Sequence, residues 1–166
     1  MRSTRATLAM ALVAPLLLVL VGCSPAVVLD AADDAADPAC APAMVRLPDT
    51  VGGLPSRETD AQSTAAWGTP AAVLLRCGVP SPAPTATLPC ITVEGIDWLR
   101  DDSDDPNFVF TTYGRTPAVE VIIDSDGDPD VTDDGVSGFD VLSELAAAIN
   151  EVPAGRACVS PEVAGG

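Results

Sequence analysis

The chain has 166 residues, with eight arginines, 24 acidic residues and no histidine, for a formal charge of −16. That length holds one domain and a targeting segment. With lysine also absent, Ser-His-Asp and Cys-His sites, imidazole metal ligands, Schiff bases and P-loops are excluded, and so acidic a surface repels phosphate backbones, so no nucleic-acid partner is expected.

Residues 1–22 read as a signal peptide. Arg2 and Arg5 form a basic start, and Ala6 to Gly22 is an uncharged run rich in Leu, Val and Ala. The run ends in Leu20-Val21-Gly22-Cys23, which resembles a bacterial lipobox. Cys23 is therefore expected to carry the lipid, to become the first mature residue, and to hold the protein on the extracytoplasmic face of the cell membrane. Loss of residues 1–22 removes two arginines and no acid, leaving six against 24, or −18. Such a body repels anionic headgroups, so only the lipid is expected to touch the membrane. Residues 23–39, with the stretch SPAVVLDAADDAADPA, lack a sustained apolar face and read as an acidic tether. One extracytoplasmic domain is expected over 40–160, followed by a tail at 161–166.

Four cysteines remain after Cys23, an even number that outside the cytoplasm reads as two disulfides. Cys77 and Cys90 close two strand-like runs around the loop GVPSPAPTATLP, and Cys40 and Cys158 lie near the ends of the domain. Pairing of Cys77 with Cys90 and of Cys40 with Cys158 is expected, with Cys40–Cys77 as the next alternative.

Residues 44–56, MVRLPDTVGGLPS, read as irregular chain, and a short helical turn is expected near 57–66. Four strands follow, at Ala72–Cys77, Cys90–Ile96, Phe108–Tyr113 and Ala118–Asp124. In the last, Val119, Val121 and Ile123 alternate toward a core. In the second, Ile91 and Val93 fall on the opposite parity to Ile96 and Trp98, which suggests a bulge at Gly95. Ser137 then N-caps a helix whose stripe is Val141, Leu142, Leu145, Ala148, Ile149 and Val152, stopped by Pro153. Together these elements predict an α+β fold: a small antiparallel sheet of about four strands with a C-terminal helix on one face, stapled by disulfides. The six aromatic residues are expected to form its core.

Two features invite chemistry. The stretch DSDGDPDVTDDG, Asp124 to Gly135, places Asp124, Asp126 and Asp128 at positions 1, 3 and 5 of a calcium loop. Position 6 is then Pro129, which cannot make the turn that glycine makes there, and position 12 is Gly135, with no carboxylate. The stretch reads as a solvated connection with weak divalent cation association and no bound cofactor. Arg115, in the turn Gly114-Arg115-Thr116-Pro117, could face an anionic ligand; pairing with a local carboxylate is the expected role.

The ordered residues Trp67-Gly68, Arg76-Cys77-Gly78, Cys90, Trp98 and Thr112-Tyr113-Gly114-Arg115-Thr116-Pro117-Ala118-Val119 resemble those of an actinobacterial lipoprotein family catalogued as domain of unknown function 3515. The similarity covers roughly Cys40 to Cys158. It implies an envelope location and a fold without an established activity, so no catalytic residue is carried over.

The expected work is that of a non-catalytic interaction or accessory module of the cell envelope, acting on an envelope protein partner. The alternatives are a binding protein for a small envelope ligand or cation, and a carboxylate-based hydrolase of envelope glycans. Two facing carboxylates in a concave pocket would favour the hydrolase. A pocket lined by apolar groups would favour the binding protein. A flat surface would leave the interaction module.

Overall fold

The computed structural model describes residues 25–126 and 135–158. The leader at 1–22, Cys23, the tail at 161–166 and the central acidic residues 127–134 lie outside the described residues. Among those described, no helix is long and apolar enough to cross a membrane.

A short helix α1 (Ala41–Met44) precedes β1 (Thr50–Val51), β2 (Leu54–Arg57), β3 (Thr64–Trp67) and β4 (Val73–Val79). Then come β5 (Cys90–Val93), β6 (Ile96–Asp104), β7 (Asn107–Thr112), β8 (Ala118–Asp124) and the helix α2 (Gly138–Ile149). All eight strands form one antiparallel sheet in the order β1-β2-β3-β4-β8-β7-β6-β5. It consists of two four-strand meanders joined along β4 and β8. The expectation of a small sheet of about four strands is therefore overturned.

The missing strands were hidden by their turns. Gly52-Gly53, read as irregular chain, is the two-residue turn of a hairpin, with φ of 57° and 77° and Val51 opposite Leu54. Two successive positive φ angles match the twist of the flanking strands, and Gly-Gly supplies them without strain. The supposed bulge at Gly95 is the same kind of reversal. Glu94 and Gly95 have φ of 48° and 76°, and Val93 pairs with Ile96. A reversal between 93 and 96 puts Ile91, Val93, Ile96 and Trp98 on one face, which explains the parity change.

Period-two burial does hold in the central strands. Val73, Leu75 and Cys77 of β4 and Val119, Val121 and Ile123 of β8 are all buried on the inner face. They meet Val141, Leu142, Leu145 and Ile149 of α2 in one core with Trp67, Trp98 and Phe110. Ser137 caps α2 by accepting a hydrogen bond from the Asp140 backbone amide at 3.4 Å. Not every aromatic residue joins this core: Phe108 is only partly buried, and Phe139 is 62% exposed.

The disulfides are Cys40–Cys77 and Cys90–Cys158, with Cα separations of 5.8 and 6.3 Å. The expected pairs, Cys77–Cys90 and Cys40–Cys158, are corrected by the strand order. β8, β7 and β6 lie between β4 and β5, which sets Cys77 and Cys90 about 19 Å apart at ~4.8 Å per strand. A disulfide spans Cα atoms no more than about 7 Å apart. Each bridge closes a long loop, of 37 and 68 residues in separation, so each contributes roughly 4 kcal/mol on the loop-entropy model.

Residues 25–39, expected as a free tether, are instead fastened to the sheet. The Val27 amide donates to the Glu58 carbonyl at 2.8 Å, and the Leu29 amide donates to Asp60 at 2.9 Å. Arg57 reaches the Pro25 carbonyl at 3.0 Å. Further on, the Asp34 amide donates to the Gly78 carbonyl at 3.0 Å, and the Ser63 hydroxyl to the Ala35 carbonyl at 2.6 Å. Hydrogen bonds from backbone and side chains rather than an apolar stripe dock this segment, so hydrophobic periodicity carries no sign of it. Gly78 (φ 105°) lies so close to the Asp34–Ala35 backbone that a Cβ would collide with it.

Candidate functional site: an apolar cleft at the start of α2

The helix α2 lies over the inner face of the sheet and also meets both edge strands, β1 and β5. Beyond the first turn of α2, over β5 to β7, lies a cleft of about 260 Å³.

Each wall has a simple origin. The hairpin at Glu94-Gly95 turns Ile91 and Val93 of β5 inward. Phe108 and Phe110 of β7 alternate onto the same face, and Arg100 lies opposite Phe110. From above come Gly138, Phe139 and Leu142 of α2, and Ser125 closes the end nearest the acidic stretch. At Gly138 the absence of a side chain leaves the cleft open. A Cβ there would stand 3.5 Å from Phe110, an ordinary van der Waals contact.

Among the described residues, Arg100 is the one cation lining the cleft, and it is engaged. Its guanidinium lies 4.7 Å over the Phe108 ring and 3.4 Å from the Asp102 carboxylate. Among the described residues, no aspartate or glutamate lines the cleft. Its carboxylates stand outside, on two segments that are tied together. The Ser125 amide and hydroxyl both donate to the Pro106 carbonyl, at 3.2 and 3.0 Å. This brings Asp124 and Asp126 toward the turn that carries Asp104 and Asp105. Desolvation, with a hydrogen bond and charge from Asp124 and the charge of Asp105, pushes the Asp126 carboxyl above its ordinary value. Asp101 is shifted the other way, lowered by hydrogen bonds from Ser103.

The residues singled out in the sequence lie elsewhere. Arg115 is 5% exposed, on the far side of α2. It donates to the Val152 carbonyl and, at 2.6 Å, to Asn150 Oδ1, so it satisfies acceptors at the helix C-terminus. Its role is structural, but its partners are not the carboxylate expected. Burial lowers its pKa and the charge of Asp97 opposes that shift. Around it Gly155 N–H donates to the Gly114 carbonyl at 2.7 Å, and Ser81 Oγ to the Arg115 carbonyl at 2.5 Å. Among the described residues, no group of three His, Cys, Asp or Glu side chains could hold a metal ion. The four paired cysteines serve the fold: Cys40 and Cys77 are fully buried, and Cys158 anchors the last described residue. Of the cleft, sequence reasoning found Phe108 and Ile91 only as core residues; the exposed Phe139 in an otherwise well-patterned helix was the available signal.

The model of a protein family described as "Protein of unknown function (DUF3515)" matches residues 4–156. The chain belongs to this family. The match begins well before Cys40, so the family's pattern takes in residues 4–39 as well. No curated protein and no solved structure matches the chain.

Proposed function

We propose that this member of the DUF3515 family is a lipid-anchored, non-catalytic binding module of the cell envelope, and that the cleft at the start of α2 is its binding site. The observation that carries the reading is the lining of the cleft: of the nine described residues that line it, seven are Ile, Val, Phe, Leu or Gly, and none of those described is a carboxylate. Binding sites are concave and mostly apolar, with few polar groups. Glycan hydrolysis needs two facing carboxylates, so that reading has less support. Anchoring at Cys23 rests on the basic start, the apolar run and Leu20-Val21-Gly22-Cys23.

Two measurements test the two parts. Changing Cys23 to Ala is expected to leave unprocessed precursor or to release the protein from the membrane; an unaltered, membrane-bound mature form would remove the anchor from the reading. For the cleft, an uncharged fluorescent naphthylamine is titrated against the protein in lipid nanodiscs, with empty nanodiscs as the blank. Saturable one-to-one binding is expected, and Gly138→Leu, which fills the cleft, is expected to abolish it. Binding that Gly138→Leu leaves intact would place any ligand elsewhere.

A further inference from the structure

We infer that the occupant of the cleft is a cationic amphipathic peptide segment of a partner protein: one or two large apolar side chains inserted over Phe108, flanked by Arg or Lys that meet the acidic rim. This rests on the cleft being the binding site and adds the chemistry of what binds.

Size is the first argument. At about 260 Å³ the cleft lies just below the usual range of small-molecule sites, about 300–1,000 Å³. That space suits a pair of apolar side chains. Phe139, on the first turn of α2, lines the cleft yet stays 62% exposed. A large exposed aromatic beside an apolar hollow marks a protein contact, where it can pack along an inserted segment.

Charge decides the kind of segment. Asp101 and Asp102 follow Arg100 along β6, Asp104 and Asp105 lie at the next turn, and Asp124 and Asp126 flank Ser125. The Ser125–Pro106 hydrogen bonds draw the second and third of these groups together. One arginine, already facing Asp102 and Phe108, stands among six aspartates. The carboxyl of Asp126 is raised first by desolvation, then by a hydrogen bond and charge from Asp124 and by the charge of Asp105, so like charge crowds this rim. A cationic segment relieves it, and within a Debye length of about 8 Å in physiological salt each added positive charge is felt. A second copy of this chain, at −16, carries the same charge to the same rim and is repelled. An anionic lipid surface is repelled for the same reason.

The test uses the full-length protein in zwitterionic nanodiscs and three short peptides that differ only in their polar residue: Leu/Lys, Leu/Gln and Leu/Glu, each with one photoreactive phenylalanine. The Leu/Lys peptide is expected to crosslink to Ile91–Val93 and Gly138–Leu142, with the Leu/Gln peptide at least about tenfold weaker and the Leu/Glu peptide silent. Phe139→Ser is expected to weaken the Leu/Lys crosslink about fivefold or more without moving the melting temperature, because that side chain is largely in solvent. The triple change Asp101→Asn, Asp102→Asn and Asp126→Asn should bring the Leu/Lys and Leu/Gln peptides level and flatten the dependence on salt. Equal crosslinking by all three peptides within the cleft overturns the charge assignment while leaving the cleft as a binding site. Crosslinks scattered over the acidic surface, or none from any peptide, overturn both. A cleft closed to every peptide by the chain's own Arg2–Gly22 stretch, and opened by its removal, overturns the assignment to a partner.

Discussion

At its C-terminal end α2 runs into Arg115, whose guanidinium satisfies Val152 and Asn150, and the chain beyond is held by Gly114 and by the Cys90–Cys158 bridge. Its N-terminal end has one side-chain cap from Ser137, a glycine at its first position and an exposed phenylalanine lining the cleft. Polar groups that must be buried are satisfied at one end, and apolar groups that could be buried are left uncovered at the other. On the proposed function, stability and recognition fall at opposite ends of the same twelve-residue helix, and substitutions should separate them.

The largest effect is expected at the closed end from Cys90→Ser with Cys158→Ser. Loss of a bridge over 68 residues should cost about 4 kcal/mol in urea unfolding. Amide exchange should quicken at 152–158 far more than at 138–142; equal quickening at both ends would mean that the helix ends are not independent. Next comes Arg115→Ala, which strands a buried carbonyl and an amide oxygen and is expected to cost about 3 kcal/mol. Peptide crosslinking in the cleft should survive it below the new melting temperature.

At the open end the sign should reverse. Gly138→Leu adds a side chain where space exists and reduces the freedom of the unfolded chain, so stability should stay level or rise by up to about 1 kcal/mol. A loss as large as that at Arg115 would show that the hollow is strained rather than open. The smallest effect concerns Asp126. Its carboxyl is raised in the fold, so its ionised form disfavours the native state above the carboxylate range, and that penalty fades as pH falls through it. Asp126→Asn should therefore raise the melting temperature slightly at about pH 7 and change nothing at about pH 3. A decrease at neutral pH would mean that the Asp126 carboxylate holds the loop in place.

The legible parts of this fold were those whose signal is local and periodic. β8 shows its alternation through Val119, Val121 and Ile123, and α2 its cap and stripe from Ser137 to Val152. β1, β2 and β3 run only two to four residues, too short for a period to register. Glu94-Gly95 was missed as a turn because glutamate seldom takes a positive φ. The partners of Arg115 lie 35 and 37 residues away, Asp34 donates to the backbone of Gly78 in β4, and the Ala35 carbonyl accepts from the Ser63 hydroxyl 28 residues away. The cleft was illegible for a different reason. It forms where the first turn of α2 meets β5, β6 and β7, a juxtaposition that depends on counting strands correctly first.

The two bridges join each cysteine of the domain to the next one along the chain, Cys40 to Cys77 and Cys90 to Cys158. Synthesis delivers the chain N-terminus first, so with Cys23 lipidated as proposed, each cysteine of the domain meets its partner before another domain cysteine has appeared. Cys40 and Cys77 can oxidise while β5 to β8 are still unmade, and Cys90 then has only Cys158 to wait for. A single thiol oxidant can therefore complete this framework in order of emergence, with no disulfide to be broken and re-formed by an isomerase.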